Sequence, residues 1–199
     1  MKKIETIWHH LLFSAIEKGE FKYTQKSLAN FFGYSLSTVN LAVKIVASVG
    51  AVNIKGKFFI LSDVKKLLYF WATHRNLEKG IVYETFMDVG VSEIEGLMPG
   101  GIIFAGYSAA TRILNDPPAD YSKVYIYAYE ENIDEIKKRF PRSTGQPSNL
   151  IVLSPYGKQK DYGEITTVAQ TFVDIWNMGD WYSKDFIFEL ERKIDELLS

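Results

Sequence analysis

The chain contains no cysteine among its 199 residues. That absence excludes disulfides, thiolate metal sites and a cysteine nucleophile. Histidine is scarce too. His9, His10 and His74 are the three present, and none stands at metal-ligand spacing from another histidine or a carboxylate. There is no Pro/Gly/Ser-rich stretch, internal repeat or low-complexity tract, so parts of the chain are expected to pack together rather than hang on a tether. No apolar run approaches the roughly 18–20 residues of a membrane span. The opening Met1-Lys2-Lys3-Ile4-Glu5 lacks the apolar block of a secretion signal. The expectation is a soluble, cytoplasmic protein with no membrane partner.

What is present is ordinary globular composition, with 47% hydrophobic, 15% aromatic and 24% charged residues. That is too apolar for a disordered chain. The formal net charge of −1 hides an asymmetry. Residues 1–75 hold 11 Lys and Arg against 4 Asp and Glu, a net of +7, and residues 76–199 hold 12 against 20, a net of −8. Net charge bears on association rather than on fold. A basic front and an acidic back point to two modules with different partners; two solvated faces are the plainer alternative.

Ile4, Ile7, Trp8, Leu11, Leu12, Ala15 and Ile16 repeat with a helical period, and Gly19 stops that helix. Thr24 caps a short helix over about 25–32, Gly33 makes the turn, and Ser35 caps a second helix to about Val49. Residues 51–54 and 58–61 read as strands joined by Lys55-Gly56-Lys57. A connecting helix over 64–75 follows. The domain reading is 1–63, the connector 64–75, and a mixed α/β domain over 76–199. The fold class is α+β.

Residues 24–49 resemble the helix-turn-helix, and the hairpin after them completes the order of a winged helix-turn-helix. In that motif the second helix presents its first turn to DNA with small polar side chains that reach bases or phosphates. Ser35, Ser37, Thr38, Asn40 and Lys44 are the candidates on that helix, Lys26 flanks it, and Lys55 and Lys57 tip the hairpin. Asn40 is suited to adenine and Lys44 to phosphate. Caps alone would also explain Ser and Thr at a helix start. The helix carries one Lys and no Arg. Modest affinity per module follows, and with it a homodimer reading two half-sites on double-stranded DNA.

In the back half, Gly106-Tyr107-Ser108 follows a strand and opens a helix, an arrangement that turns backbone N–H groups toward a phosphate. Nucleotidyltransferases of the polymerase-β type use such a turn and follow it with paired carboxylates on the next strand. Here that strand is read from Asp120. Ser122 stands where a second carboxylate belongs, and Lys123 would repel a metal. The candidate phosphate or ligand residues are Gly106, Tyr107, Ser108 and Asp120, with no catalytic residue, metal ligand or cofactor assigned. An active nucleotidyltransferase with an accessory winged domain is the alternative. Gly106-Tyr107-Ser108-Ala109-Ala110 departs from the serine-hydrolase elbow at Ala110 and has no histidine downstream.

Val168, Gln170, Phe172 and Asp174, with Ile175 in place of Leu, resemble the Val-x-Gln-x-(Tyr/Phe)-x-Asp-Leu stretch of AbiE-type antitoxins. The Gly-Tyr-Ser-Ala-Ala segment is similar to that family's central region. The resemblance covers the module order over most of the chain, with specific matches confined to these two segments. It implies a transcriptional autorepressor with a catalytically silent, nucleotidyltransferase-like back domain, and a toxin partner or small-molecule effector. The acidic back half departs from the family. Taken alone, Gln170 and Asp174 read as a polar pair on an amphipathic helix. Tyr156 to Gly163 reads as an exposed loop. Tyr125, Tyr127 and Tyr129 alternate as core rings or as a stacking face.

Overall fold

Ile7, Trp8, Leu11, Leu12, Ala15 and Ile16 are all buried along α1 (Lys3–Lys18), as their helical spacing requires. The computed structural model describes residues 1–143 and 145–199. Among them it is α+β, with nine α-helices and two small sheets.

The front half continues with β1 (Lys22–Tyr23), α2 (Gln25–Phe32), α3 (Leu36–Ser48), β2 (Val52–Lys55), β3 (Phe58–Leu61) and α4 (Val64–His74). Thr24, Ser35 and Asp63 cap α2, α3 and α4 by accepting backbone N–H bonds from Ser27, Thr38 and Lys66. Gly33, at φ 66°, turns the chain between α2 and α3 in a conformation that side chains with a Cβ resist. The sheet holds three antiparallel strands in the order β1-β3-β2. Its third member, β1, escapes a sequence reading because two residues show no period.

The back half comprises β4 (Ile81–Thr85), α5 (Val91–Gly96), β5 (Ile103–Ala105), α6 (Gly106–Leu114), β6 (Val124–Tyr127), α7 (Glu130–Arg139), β7 (Leu150–Leu153), α8 (Val168–Trp176) and α9 (Ser183–Leu198). The strands order as β4-β7-β6-β5, with β6 and β7 parallel and both outer pairs antiparallel. Every residue of β6 and β7 is buried. Tyr125, Tyr127, Ile151 and Leu153 face one core, and Val124, Ile126, Leu150 and Val152 face a second with Ile94, Ile136 and Phe140. The tyrosines on the strand are therefore core rings. Tyr129 lies beyond its end, capping α7.

One apolar cluster runs from Ile7 to Ile194 through both halves, so the two parts are packed together. Helix α1 is the shared wall. Trp8 Nε1 donates to the Ala42 carbonyl of α3 at 3.0 Å, and the Glu17 carboxylate accepts the Val168 N–H at the start of α8 at 3.0 Å. No helix among the described residues is long and apolar enough to cross a membrane.

Three expectations change. The strand read from Asp120 begins at Val124, which leaves Asp120 exposed in the preceding loop. The segment from Tyr156 to Gly163 is no free loop: Tyr156 and Tyr162 fold onto α1 and bond to His9 and His10. Helix α8 is buried from Val168 to Ile175 rather than amphipathic, so Gln170 and Asp174 are core residues and not a solvated pair.

Candidate nucleic-acid interface

Helix α3 packs Val39, Ala42, Val43 and Val46 inward and turns Leu36, Ser37, Leu41, Lys44 and Ser48 to solvent. At its first turn the small hydroxyls are tied to one another. The Ser35 hydroxyl lies 2.9 Å from those of both Ser37 and Thr38, and it accepts the Thr38 N–H at 3.2 Å. Asn40 is half-buried and donates to Gln25 Oε1 on α2 at 3.1 Å. The side chains selected for base reading thus stand together at the start of α3; the Ser35 hydroxyl is fully engaged within the protein, while Ser37, Thr38 and Asn40 each make one side-chain hydrogen bond. Gln25 is the partner that sequence reasoning missed, since a contact between helices carries no local signal.

The lysines are differently placed. Lys26, Lys44, Lys55 and Lys57 are all exposed, and none pairs with a carboxylate among the described residues. Lys55 and Lys57 flank Gly56 at the tip of the β2–β3 hairpin. Lys22, nearby on β1, sits over the Phe58 ring at 4.1 Å. A helix start carrying a positive dipole, beside uncompensated ammonium groups, is a surface suited to anions.

Exposed leucines interrupt this polar face. Leu36 is 57% exposed and Leu41 is 55% exposed. Leu41 is off the valine face by helical phase, whereas Leu36 is in phase with Val39 and Val43 and is exposed at the first turn of the helix.

Behind α3, the joint between the halves encloses a buried ionic network. Arg75, at the C-terminus of α4, donates from Nε to Asp174 Oδ1 at 3.4 Å and from Nη2 to the Tyr127 hydroxyl at 3.0 Å, and its Nη1 lies 3.8 Å from Glu5 Oε2. Tyr127 in turn donates to Asp174 Oδ2 at 2.7 Å. Burial pushes the Asp174 carboxyl above the usual carboxylate range, with Arg75 and Tyr127 pulling against it. Burial opposes the Arg75 charge, but Tyr127, Asp174 and Glu5 outweigh it and hold the guanidinium protonated. One turn further along α1 from Glu5, His9 is fully buried between the Tyr156 hydroxyl at 2.6 Å and Thr167 Oγ1 at 2.8 Å. Burial, aided by His10 and Arg75, lowers its pKa to about 3. Burial likewise lowers His10, whose ring stacks on Phe31, to about 4.

The Gly-x-Ser turn of the back half is filled by protein. Gly106 has φ 53°, and a Cβ there would lie 2.7 Å from Met178 Cε. Tyr107 is buried, with its hydroxyl 3.0 Å from Asp180 Oδ2 and 2.7 Å from Ser183 Oγ. Ser108 is buried too, and its hydroxyl has no hydrogen-bond partner among the described residues. Strand β6 carries no carboxylate. Beside Gly106 lies a cleft of 490 Å³ lined by Glu84, Lys123, Tyr125 and Met178 among others. Lys123 is paired with Asp180 at 2.6 Å. Asp120 is not among its lining residues. No cluster of three metal-ligating side chains occurs among the described residues.

No family model, curated protein or solved structure matches this chain.

Proposed function

We propose that this protein is a DNA-binding transcriptional regulator. Its front half acts as a winged helix-turn-helix, and its back half is a catalytically silent, nucleotidyltransferase-like domain that dimerises or responds to an effector. One observation carries the reading. The first turn of α3 and the Lys55-Gly56-Lys57 hairpin tip stand uncovered on the half with a net charge of +7. The back half packs behind α1 and α4 and leaves that face open.

Lys44 and the hairpin lysines engage phosphates, and α3 enters the major groove. With one cation on that helix, two modules bind together, as in a homodimer on two half-sites. Three features support a silent back half: β6 carries no carboxylate pair, Met178 occupies the Gly106 turn, and Lys123 is held by Asp180. Two-metal chemistry needs carboxylates where this strand has tyrosines. The antitoxin-like role rests on the α8 and α6 resemblance. A nucleotidyltransferase-type toxin encoded beside this chain, neutralised on co-expression, is the outcome expected of it.

A mobility-shift titration at low and at physiological salt, with the DNA just upstream of the protein's own coding sequence, tests the main reading. A shifted complex whose affinity falls steeply with salt is expected. Absence of any complex at low salt overturns it.

A further inference from the structure

The register of the four-stranded sheet sets three residues in one row. Glu84 on β4 lies opposite Ile151 on β7, and Ile151 lies opposite Tyr125 on β6. Opposed residues project from the same face of a sheet, and neighbouring strands run about 4.8 Å apart. An acid at the sheet edge and a phenol two strands in therefore stand on either side of an aliphatic side chain. All three line the 490 Å³ cleft, a volume in the range of small-molecule sites. Leu77 and Glu78, just after α4, and Asn177 and Met178, between α8 and α9, close other sides of it. Asn177 also donates to the Ala72 carbonyl on α4 at 3.0 Å, so the cleft borders the joint between the halves.

Two observations bear on what the cleft is fitted to hold. The first is an unused hydroxyl. Tyr125 is 8% exposed, and its hydroxyl, at the cleft wall, makes no hydrogen bond among the described residues. A buried phenol ordinarily finds a partner. Burial, with Asp180, Tyr182 and Glu84 nearby, raises the pKa of this group and keeps it neutral.

The second is charge. Lys123, the cation of the cleft, is already paired with Asp180 at 2.6 Å. Glu78 and Glu84 are in no ion pair among the described residues. The unmatched charge is thus negative, and it borders apolar surface from Ile151 and Met178. No third ligating side chain joins these acids into a metal cluster among the described residues. An organic cation matches both the carboxylates and the apolar floor.

We propose that this cleft binds a small organic amine, with its ammonium group between the Glu84 carboxylate and the Tyr125 hydroxyl and a short apolar body along Ile151 and Met178. The proposal goes beyond the DNA-binding reading and holds or fails without it. It gives a chemical class to the effector of the back half.

The full-length protein is titrated calorimetrically at physiological salt with tyramine, phenethylamine and putrescine. Each is paired with the alcohol that carries hydroxyl in place of every amine. At least one amine is expected to bind, and its alcohol should bind about 10-fold more weakly or worse. Glu84→Gln should weaken the amine by about 10-fold or more, and Tyr125→Phe by about 3- to 10-fold. Glu84 is exposed and the Tyr125 hydroxyl bonds to no described residue, so both variants should fold, which circular dichroism verifies.

No heat from any of the three amines at millimolar concentration overturns the proposal. So does an alcohol that binds as tightly as its amine, or either variant binding the amine as tightly as the wild type. The mobility-shift titration reads DNA binding separately, so neither result decides the other.

Discussion

Lys44, Lys55 and Lys57 stand in water with no carboxylate partner, whereas Arg75, at the end of the same basic half, is buried among Glu5, Asp174 and Tyr127. The contrast shows two uses of positive charge in one chain. On the outer face an unpaired ammonium costs little, because water screens it, and it stays available to an anion. At the joint a guanidinium persists only because acceptors surround it, and removing one of them strands a charge in the core. The outer face should therefore tolerate substitution and lose binding, and the joint should lose stability.

The sharpest break is at the joint. Asp174→Ala leaves Arg75 short of a buried partner and should cost about 3–5 kcal/mol in urea unfolding. A loss under about 1 kcal/mol would mean that the network does not hold the halves together. Next comes the filled turn. Gly106→Ala forces a Cβ into a left-handed backbone and against Met178 Cε, 2.7 Å away, for about 1–3 kcal/mol. Adding Met178→Ala should relieve the contact and leave the backbone strain. Full recovery in the double variant would show that φ at this position is not the constraint.

The buried histidine gives a pH test. His9 stays neutral when folded, with a pKa of about 3, and in the unfolded chain it protonates near 6.5. Between those values the unfolded state binds more protons, so stability is intact above about pH 6.5 and falls as pH drops. The slope is about 1.4 kcal/mol per pH unit. His10 is lowered by burial and acts with the same sign, while the raised Asp174 pulls the other way at the acidic end. His9→Gln should flatten the dependence of the urea midpoint on pH between 6.5 and 5 relative to the wild type. An unchanged slope would place the titrating group elsewhere.

The smallest effect on stability is expected on the outer face. Lys55→Ala with Lys57→Ala should change unfolding by less than about 0.5 kcal/mol. It should weaken DNA binding on all sequences and lower the salt slope by about 2. An unchanged salt dependence would exclude the hairpin from phosphate contact.

Much of the architecture is local in origin and was legible as such. Thr24, Ser35 and Asp63 announce helix starts, Gly33 announces the turn, and the Val39, Ala42, Val43 and Val46 spacing assigns the inner face of α3. Of the candidate site, the exposed lysines followed from the hairpin and the helical period. The state of the polar readers did not. Asn40 meets Gln25 across 15 positions of sequence, and only the packing of α2 on α3 makes that bond. The β-forming run after Asp120 extends the strand reading back to it, but pairing starts at Val124 with β7 and at Tyr125 with β5.

The sequence by itself determined where helices and hairpins begin and end and which half is basic, because caps, turns and side-chain period act between near neighbours. Tertiary structure decided which polar groups are spent and which are free. Arg75 and Asp174 are 99 residues apart, and His9 and Thr167 are 158 apart. No local pattern distinguishes such residues from solvated ones. Their roles follow from α1, β6 and α8 closing around them, since burial turns an ordinary charge or imidazole into one that must be paired or neutral.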